Sequence, residues 1–241
     1  MAYAACNSRW ILGQLVYYDS AYPHRWVDAE GPSVRKCILS DGLYPVDNTT
    51  GNIANGVVTV TSGGEGDDSL KPGEAGVLLA TTAAGAEDGP TFQVAGEAFK
   101  FLSTNQIYFG GQIQYSSITE SELMFGLCIT DATMVAGISD GVYFNKLDGA
   151  TTVTLEVEKD STATASATLA TMVANTYVWY EFYWSGTVLT AYIDGVATLT
   201  ATLTNLPADE YLTPSVAVIY GTTAAMTAKI RNWRCIQLES A

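Results

Sequence analysis

The chain has 241 residues, 48% hydrophobic and 15% charged, so a sizeable core is available and a disordered chain is excluded. Its 25 acidic and 11 basic residues give a formal charge of −14 at pH 7. Phosphate contacts need clustered Lys and Arg, and no such cluster exists, which excludes nucleic acid as a partner.

Residues 1–55 hold Pro23, Pro32 and Pro45 among many aromatics and show no sustained period. They read as an irregular, extended N-terminal arm, followed by one domain over residues 56–241. The stretch Trp10–Tyr18 is too short and polar-interrupted to span a bilayer, and no basic segment leads into an apolar run. The expectation is therefore no membrane partner and synthesis in the cytoplasm. Tyr17, Tyr18, Tyr22, His24, Arg25 and Trp26 gather in the arm, and Tyr, Trp and Arg dominate binding hot spots. They are the candidate interface residues.

From residue 56 onward the pattern is of short strands. Gly56–Thr61 alternates, Ser62–Ser69 is an acidic glycine-rich loop, and Gly76–Thr81 is a second strand. Gln106–Tyr115 carries the pair Gly110-Gly111, which predicts a bulge within that strand. Glu122–Thr130 is nearly all apolar. Val142–Leu147 and Thr151–Glu158 flank Asp148-Gly149, a hairpin signal. The run Thr176–Thr204 is aromatic and β-branched and is punctuated by Ser185-Gly186 and Asp194-Gly195, which predicts a three-stranded meander. Ser215–Tyr220 and Met226–Leu238 complete the series. Many short strands with turn residues between them predict an all-β, antiparallel β-sandwich of the jelly-roll kind.

Two-residue turns within the meander would pair Phe182 with Leu189, Tyr180 with Ala191 and Val178 with Ile193 on a core face. The opposite face would carry Trp179, Glu181, Tyr183, Thr190, Tyr192 and Leu199. Trp179, Glu181, Tyr183 and Tyr192 form the candidate glycan surface, since aromatics beside a carboxylate can stack on and hydrogen-bond a sugar. Packing beneath a loop or a neighbouring subunit is the other reading of the same residues.

Catalytic constellations are sparse. Glycoside hydrolysis needs two carboxylates on either side of the scissile bond. In Glu156-Val-Glu158-Lys-Asp160 two glutamates share a face, but no third acid follows in phase. His24 is the only histidine, too few for a multi-histidine metal centre. Glu65, Asp67 and Asp68, or Asp131 with Asp140, are oxygen ligands without the spacing of a calcium loop. Four cysteines (Cys6, Cys37, Cys128 and Cys235) lack any C-x-x-C spacing. They read as reduced thiols buried as small hydrophobes, although an even count permits two disulfides. No catalytic residue, cofactor or metal ligand is assigned.

The run Trp179–Gly195 resembles the strand–turn–strand signature of concanavalin A-like, laminin-G-like jelly rolls. With Phe109–Tyr115, Phe125–Asp131, Asp140–Gly149, Leu212–Ser215 and Ile230–Ile236, the chain resembles the version found in virion structural proteins of tailed bacteriophages. The likeness covers roughly Gly76 to Leu238. It implies a non-enzymatic virion protein, a decoration or cement protein on the outer capsid surface. Its partners would be a major capsid protein and further copies of itself, in a symmetric oligomer such as a trimer. The alternative is a carbohydrate-binding, lectin-like module of a phage adhesion or fibre protein, with a host-surface glycan as partner.

Overall fold

The structure, a computed structural model, describes residues 6–39, 56–61, 69–72, 78–82, 89–131, 134–165, 167–201, 205–220 and 226–240. The first strands are β1 (Cys6–Ile11), β2 (Gln14–Asp19), β3 (Tyr22–Glu30) and β4 (Val34–Leu39). The irregular arm expected here is corrected: the segment is an antiparallel meander ordered β1-β2-β3, and β4 leaves it to join the sandwich. Prolines and register shifts at Tyr17–Asp19 hide the strands from a period count. Pro23 is tolerated because β3 ends the sheet order, and an edge strand can lose an N–H without breaking a ladder on its open side.

The sandwich is built from β5 (Gly56–Thr61), β6 (Ser69–Pro72), β7 (Leu78–Thr82), β8 (Gly89–Val94), β9 (Asn105–Tyr115) and β10 (Ser121–Cys128). Then come β11 (Gly141–Lys146), β12 (Thr152–Lys159), β13 (Thr162–Ala165), β14 (Ala170–Thr171) and β15 (Val178–Trp184). The chain closes with β16 (Leu189–Ile193), β17 (Val196–Ala201), β18 (Thr213–Tyr220) and β19 (Met226–Glu239), and a helical turn, α1, spans Met134–Gly137. One sheet runs β17-β16-β15-β9-β19-β7-β6, with β4 beside β19. The second runs β13-β12-β11-β10-β18-β8-β5, with β14 beside β12. Every strand pairing is antiparallel among the described residues, and the fold is an all-β jelly roll.

Alternation explains the core. Ile107, Phe109, Ile113 and Tyr115 of β9 face inward with Tyr180, Phe182 and Trp184 of β15, against Leu123, Phe125 and Leu127 of β10. Phe109 stacks on Phe182 at 4.9 Å, and Phe125 meets Trp233 at 5.5 Å. Each such ring contributes on the order of 1.5–3 kcal/mol by leaving water.

Two local expectations are corrected. The β15–β16 hairpin pairs Trp184 with Leu189, Phe182 with Ala191 and Tyr180 with Ile193, so its loop is Ser185–Val188 rather than two residues. Trp184 is held in the strand because its indole N–H donates to the Leu102 carbonyl at 2.9 Å. A shift of two residues keeps every side chain on its expected face. Asp194-Gly195 does form a tight turn, both residues having positive φ (49° and 81°). A bulge between Ala191 and Tyr192 turns Leu199 toward the core instead of the outer face. The second correction concerns Gly110-Gly111. No register break separates β9 from β15 there, whereas β19 bulges between Arg231 and Arg234. The glycines make room: a Cβ at Gly110 would lie 2.6 Å from the Tyr108 hydroxyl, and one at Gly111 would lie 2.9 Å from Phe125.

The N-terminal meander forms a third layer over the outer face of the first sheet. Val16, Trp26 and Ala29 bury against Tyr108, Ile236 and Leu238 in a small separate core.

Candidate functional site

The outer face of β15 is where the aromatic candidates lie, and the meander covers it. Strand alternation aims Glu181 outward from β15, and Gly110 on the neighbouring β9 leaves space above it. Arg25 of β3 meets Glu181 with a bidentate pair: Nε donates to Oε1 at 2.7 Å and Nη2 to Oε2 at 2.6 Å. The Tyr108 hydroxyl donates to Oε1 at 2.8 Å. The side chains are 7% and 0% exposed, so the pair is desolvated. Burial pushes the Glu181 carboxyl up, but hydrogen bonding from Arg25 and the positive field of Arg25 with His24 outweigh it, and the group ends below its usual range. The Arg25 guanidinium also lies 4.0 Å from the Trp179 ring and 4.3 Å from Tyr22. His24 stacks on Tyr192 at 3.6 Å with planes 5° apart. Trp26 meets Tyr183 edge-on at 5.5 Å, and the Tyr183 hydroxyl donates to Gln106 at 2.5 Å.

The two sets of sequence candidates therefore meet each other. Tyr22, His24, Arg25 and Trp26 from the N-terminal segment seat on Trp179, Glu181, Tyr183 and Tyr192. Tyr18 packs at the rim beneath Arg9, while Tyr17 on β2 pairs with Ser8 and Asp28 outside this cluster. With Glu181 at 0% exposure, this platform is an internal joint in the described chain. The sequence marks Gly110 only as part of a bulge signal and does not assign Tyr108 to the site; the outward phase of β9 is the signal that places them there.

The outer face of the second sheet is different. At one end Met134 of α1 and Ile138, just after it, pack on Met124, Cys128 and Tyr143. At the other end a hollow of about 260 Å³ opens, lined by Glu122, Leu123, Met124, Tyr143, Asn145, Leu147 and Glu156. Register places these together: Tyr143 of β11 lies opposite Glu156 of β12, and Asn145 opposite Met124 of β10. The Tyr143 hydroxyl is 3.0 Å from Glu156 Oε2 and 2.8 Å from Glu158 Oε2. Burial, then the bond to Glu158, pushes that phenol well up. Asn145 Nδ2 donates to Glu156 Oε1 at 2.7 Å. Glu156, Glu158 and Asn145 are half-buried, and Leu147 is 58% exposed at the rim. The sequence shows Glu156 and Glu158 sharing a face, and the structure adds that the Tyr143 hydroxyl fills the space between them. The Glu156 acceptor oxygens and the Asn145 amide, bordered by Met124 and Leu147, suit a small polyhydroxylated ligand.

Of the calcium candidates, Glu65, Asp67 and Asp68 lie outside the described residues. Asp140 takes hydrogen bonds from Ser139 Oγ at 2.8 Å and from the Asp160 amide at 3.2 Å. No group of three metal-ligating side chains occurs among the described residues.

No family model matches the sequence, and no curated protein matches it. Solved structures do match the fold. An endo-1,3-beta-glucanase from Streptomyces sioyaensis superposes with a TM-score of 0.59 at 13% identity, covering 88% of this chain and 100% of its own. The carbohydrate recognition domain of Emp46p, in its potassium-bound form, gives 0.58 at 11% identity, covering 85% and 97%. A protein of unknown function from Shewanella oneidensis MR-1 gives 0.57 at 13% identity, covering 88% and 89%. Likeness at this level of identity establishes architecture: the chain has the concanavalin A-like jelly roll also seen in lectin and glucanase domains.

Proposed function

We propose that the protein is a non-catalytic, carbohydrate-binding β-sandwich whose ligand occupies the hollow on the outer face of the second sheet. The observation that carries this reading is the contrast between the two outer faces. The aromatic platform at Trp179 and Tyr192 is covered by the protein's own meander. The hollow at Tyr143, Asn145 and Glu156 remains open, with polar groups converging on an apolar rim. Likeness to a carbohydrate recognition domain and to a glucanase supports the reading at the level of fold alone. Hydrolysis is disfavoured because a sugar must lie between two carboxylates, and here a phenol lies between them. With two glutamates at the hollow and a net charge of −14, a neutral or amino-substituted sugar fits better than an acidic one.

The test is a broad glycan array followed by calorimetry. Binding in the millimolar-to-micromolar range is expected, weakened roughly tenfold or more by Glu156→Gln, since a hydrogen bond to a charged group contributes about 1.5–3 kcal/mol. A flat array response, or turnover of a bound polysaccharide, contradicts the proposal.

A second reading keeps the expected role on a phage capsid, with the major capsid protein and further copies of this chain as partners. Its structural support is β1, the edge of the meander, whose Trp10 is 73% exposed. Removing the whole N-terminal segment would not test it cleanly, because that would unpair the buried Glu181. Trp10→Ala is the better probe: co-sedimentation with capsids should fall, and unchanged occupancy counts against a capsid role for this edge.

A further inference from the structure

We infer that Cys37 and Cys235 are a latent disulfide, a facing pair of thiols that closes within the folded chain when a small-molecule disulfide supplies the oxidising equivalents. Cys37 on β4 lies directly opposite Cys235 on β19, and the pairing runs unshifted on both sides, Ile38 with Arg234 and Lys36 with Ile236. Opposed residues of an antiparallel pair have Cα atoms about 4.5 or 5.5 Å apart, depending on the hydrogen-bonding position. Both values fall inside the range of about 4.4–6.8 Å that disulfides span. Directly opposed side chains also share a face, and Cys235 is buried in the main core while Cys37 packs against it. Neither cysteine is already in a disulfide. The other two lack such a partner: Cys6 lies opposite Asp19, and Cys128 opposite Gly141 and Thr213.

Access sets the order of events. Cys37 is half-buried and Cys235 is 0% exposed, so a reagent in solution meets Cys37 first. The Cys37 thiolate attacks one sulfur of oxidised glutathione, forming a mixed disulfide and releasing one glutathione thiolate, which takes up a proton. Cys235 then loses its proton, attacks the Cys37 sulfur and displaces the second glutathione. Two protein thiols are oxidised and one glutathione disulfide is reduced to two thiols. Burial pushes the Cys37 thiol up to about 11, so the thiolate that starts the sequence is scarce near neutrality. Closure should accelerate roughly tenfold per pH unit between pH 7 and 9. The bond would fasten β4, and the meander leading into it, to the long strand β19.

The experiment treats the folded, full-length chain with oxidised glutathione at pH 7, 8 and 9, traps free thiols in denaturant, and digests with trypsin. The expected product is peptide Cys235–Ala241 joined to the peptide that begins at Cys37, forming faster at higher pH. Non-reducing thermal melts should show a midpoint higher by on the order of 5–15 °C, a gain absent from Cys37→Ala. Three results overturn the inference: no linked peptide from folded protein at pH 9, a link only after denaturation, or stable glutathione on Cys37 that Cys235 never displaces.

Discussion

Replacing Arg25 with Met removes one half of a buried ion pair and leaves the other in place. Glu181 would keep the Tyr108 hydroxyl at 2.8 Å and His24 Nε2 at 3.8 Å, and would lose the two guanidinium bonds at 2.7 and 2.6 Å. Losing one partner of a buried pair costs roughly 3–5 kcal/mol, and the guanidinium contacts with Trp179 and Tyr22 add on the order of 0.5–2 kcal/mol. The sandwich has its own core, so the loss should appear first as undocking of β1–β3. Hydrogen exchange should show those amides opening while β9 and β15 stay protected. The effect of acid should also weaken. In the native chain the Glu181 pKa lies below its ordinary 4.5, so its contribution is present above pH 4.5 and is lost as pH falls through the folded value. In Arg25→Met the largest lowering influence is gone and burial is opposed only by His24 and the Tyr108 hydroxyl, so the Glu181 pKa should rise and the loss of stability in acid should shrink. The double variant Arg25→Met/Glu181→Leu should recover most of the loss. A cost under about 1 kcal/mol for Arg25→Met, or no difference in exchange at β1–β3, would refute the reasoning.

Gly110→Ala should disturb the same joint from beneath, because the new Cβ would lie 2.6 Å from the Tyr108 hydroxyl and 3.0 Å from Glu181 Cγ. Denaturant titration should find it roughly 1–3 kcal/mol less stable, and a neutral result would show that the pocket has slack. Lys146 is 1% exposed, donates to the Ser121 carbonyl and hydroxyl, and is lowered to about 8 by burial. Between pH 8 and 10.5 the unfolded chain holds a proton that the folded chain lacks, so stability should rise with pH across that window. Lys146→Met should remove that rise, and parallel pH profiles for the two proteins would contradict the assignment. Tyr143→Phe should weaken sugar binding by calorimetry, because Glu156 and Glu158 lose the hydroxyl they share; unchanged affinity would take the phenol out of the site.

The sandwich was legible because its signals are local. Alternation in β9, β12 and β15 sorts inward from outward residues, and Asp194-Gly195 supplies the turn that its residue types demand. The β15–β16 register was not legible, because it depends on the Trp184 indole reaching Leu102, a contact between residues 82 positions apart. The meander was missed because Pro23 and the shifts at Tyr17–Asp19 break its period. The hidden joint is the larger lesson. Both halves were visible, an aromatic cationic segment around Arg25 and an aromatic carboxylate face around Glu181. Each looked like a surface awaiting a partner, and nothing local shows that residues 156 positions apart pair with each other. On the second sheet, Glu156 and Glu158 were legible as neighbours on one face, but the Tyr143 phenol between them came from an adjacent strand.

The central claim is that ligand binds over the second sheet while the first sheet's aromatic face stays closed. Titrating a glycan hit into isotopically labelled protein and following amide and side-chain shifts tests it directly. The account predicts saturable shifts at Tyr143, Asn145, Leu147 and Glu156, with the Trp179 and His24 signals unmoved. Shifts centred on Trp179, Tyr192 and His24 would contradict it, because they would mean that the meander yields its seat to the sugar.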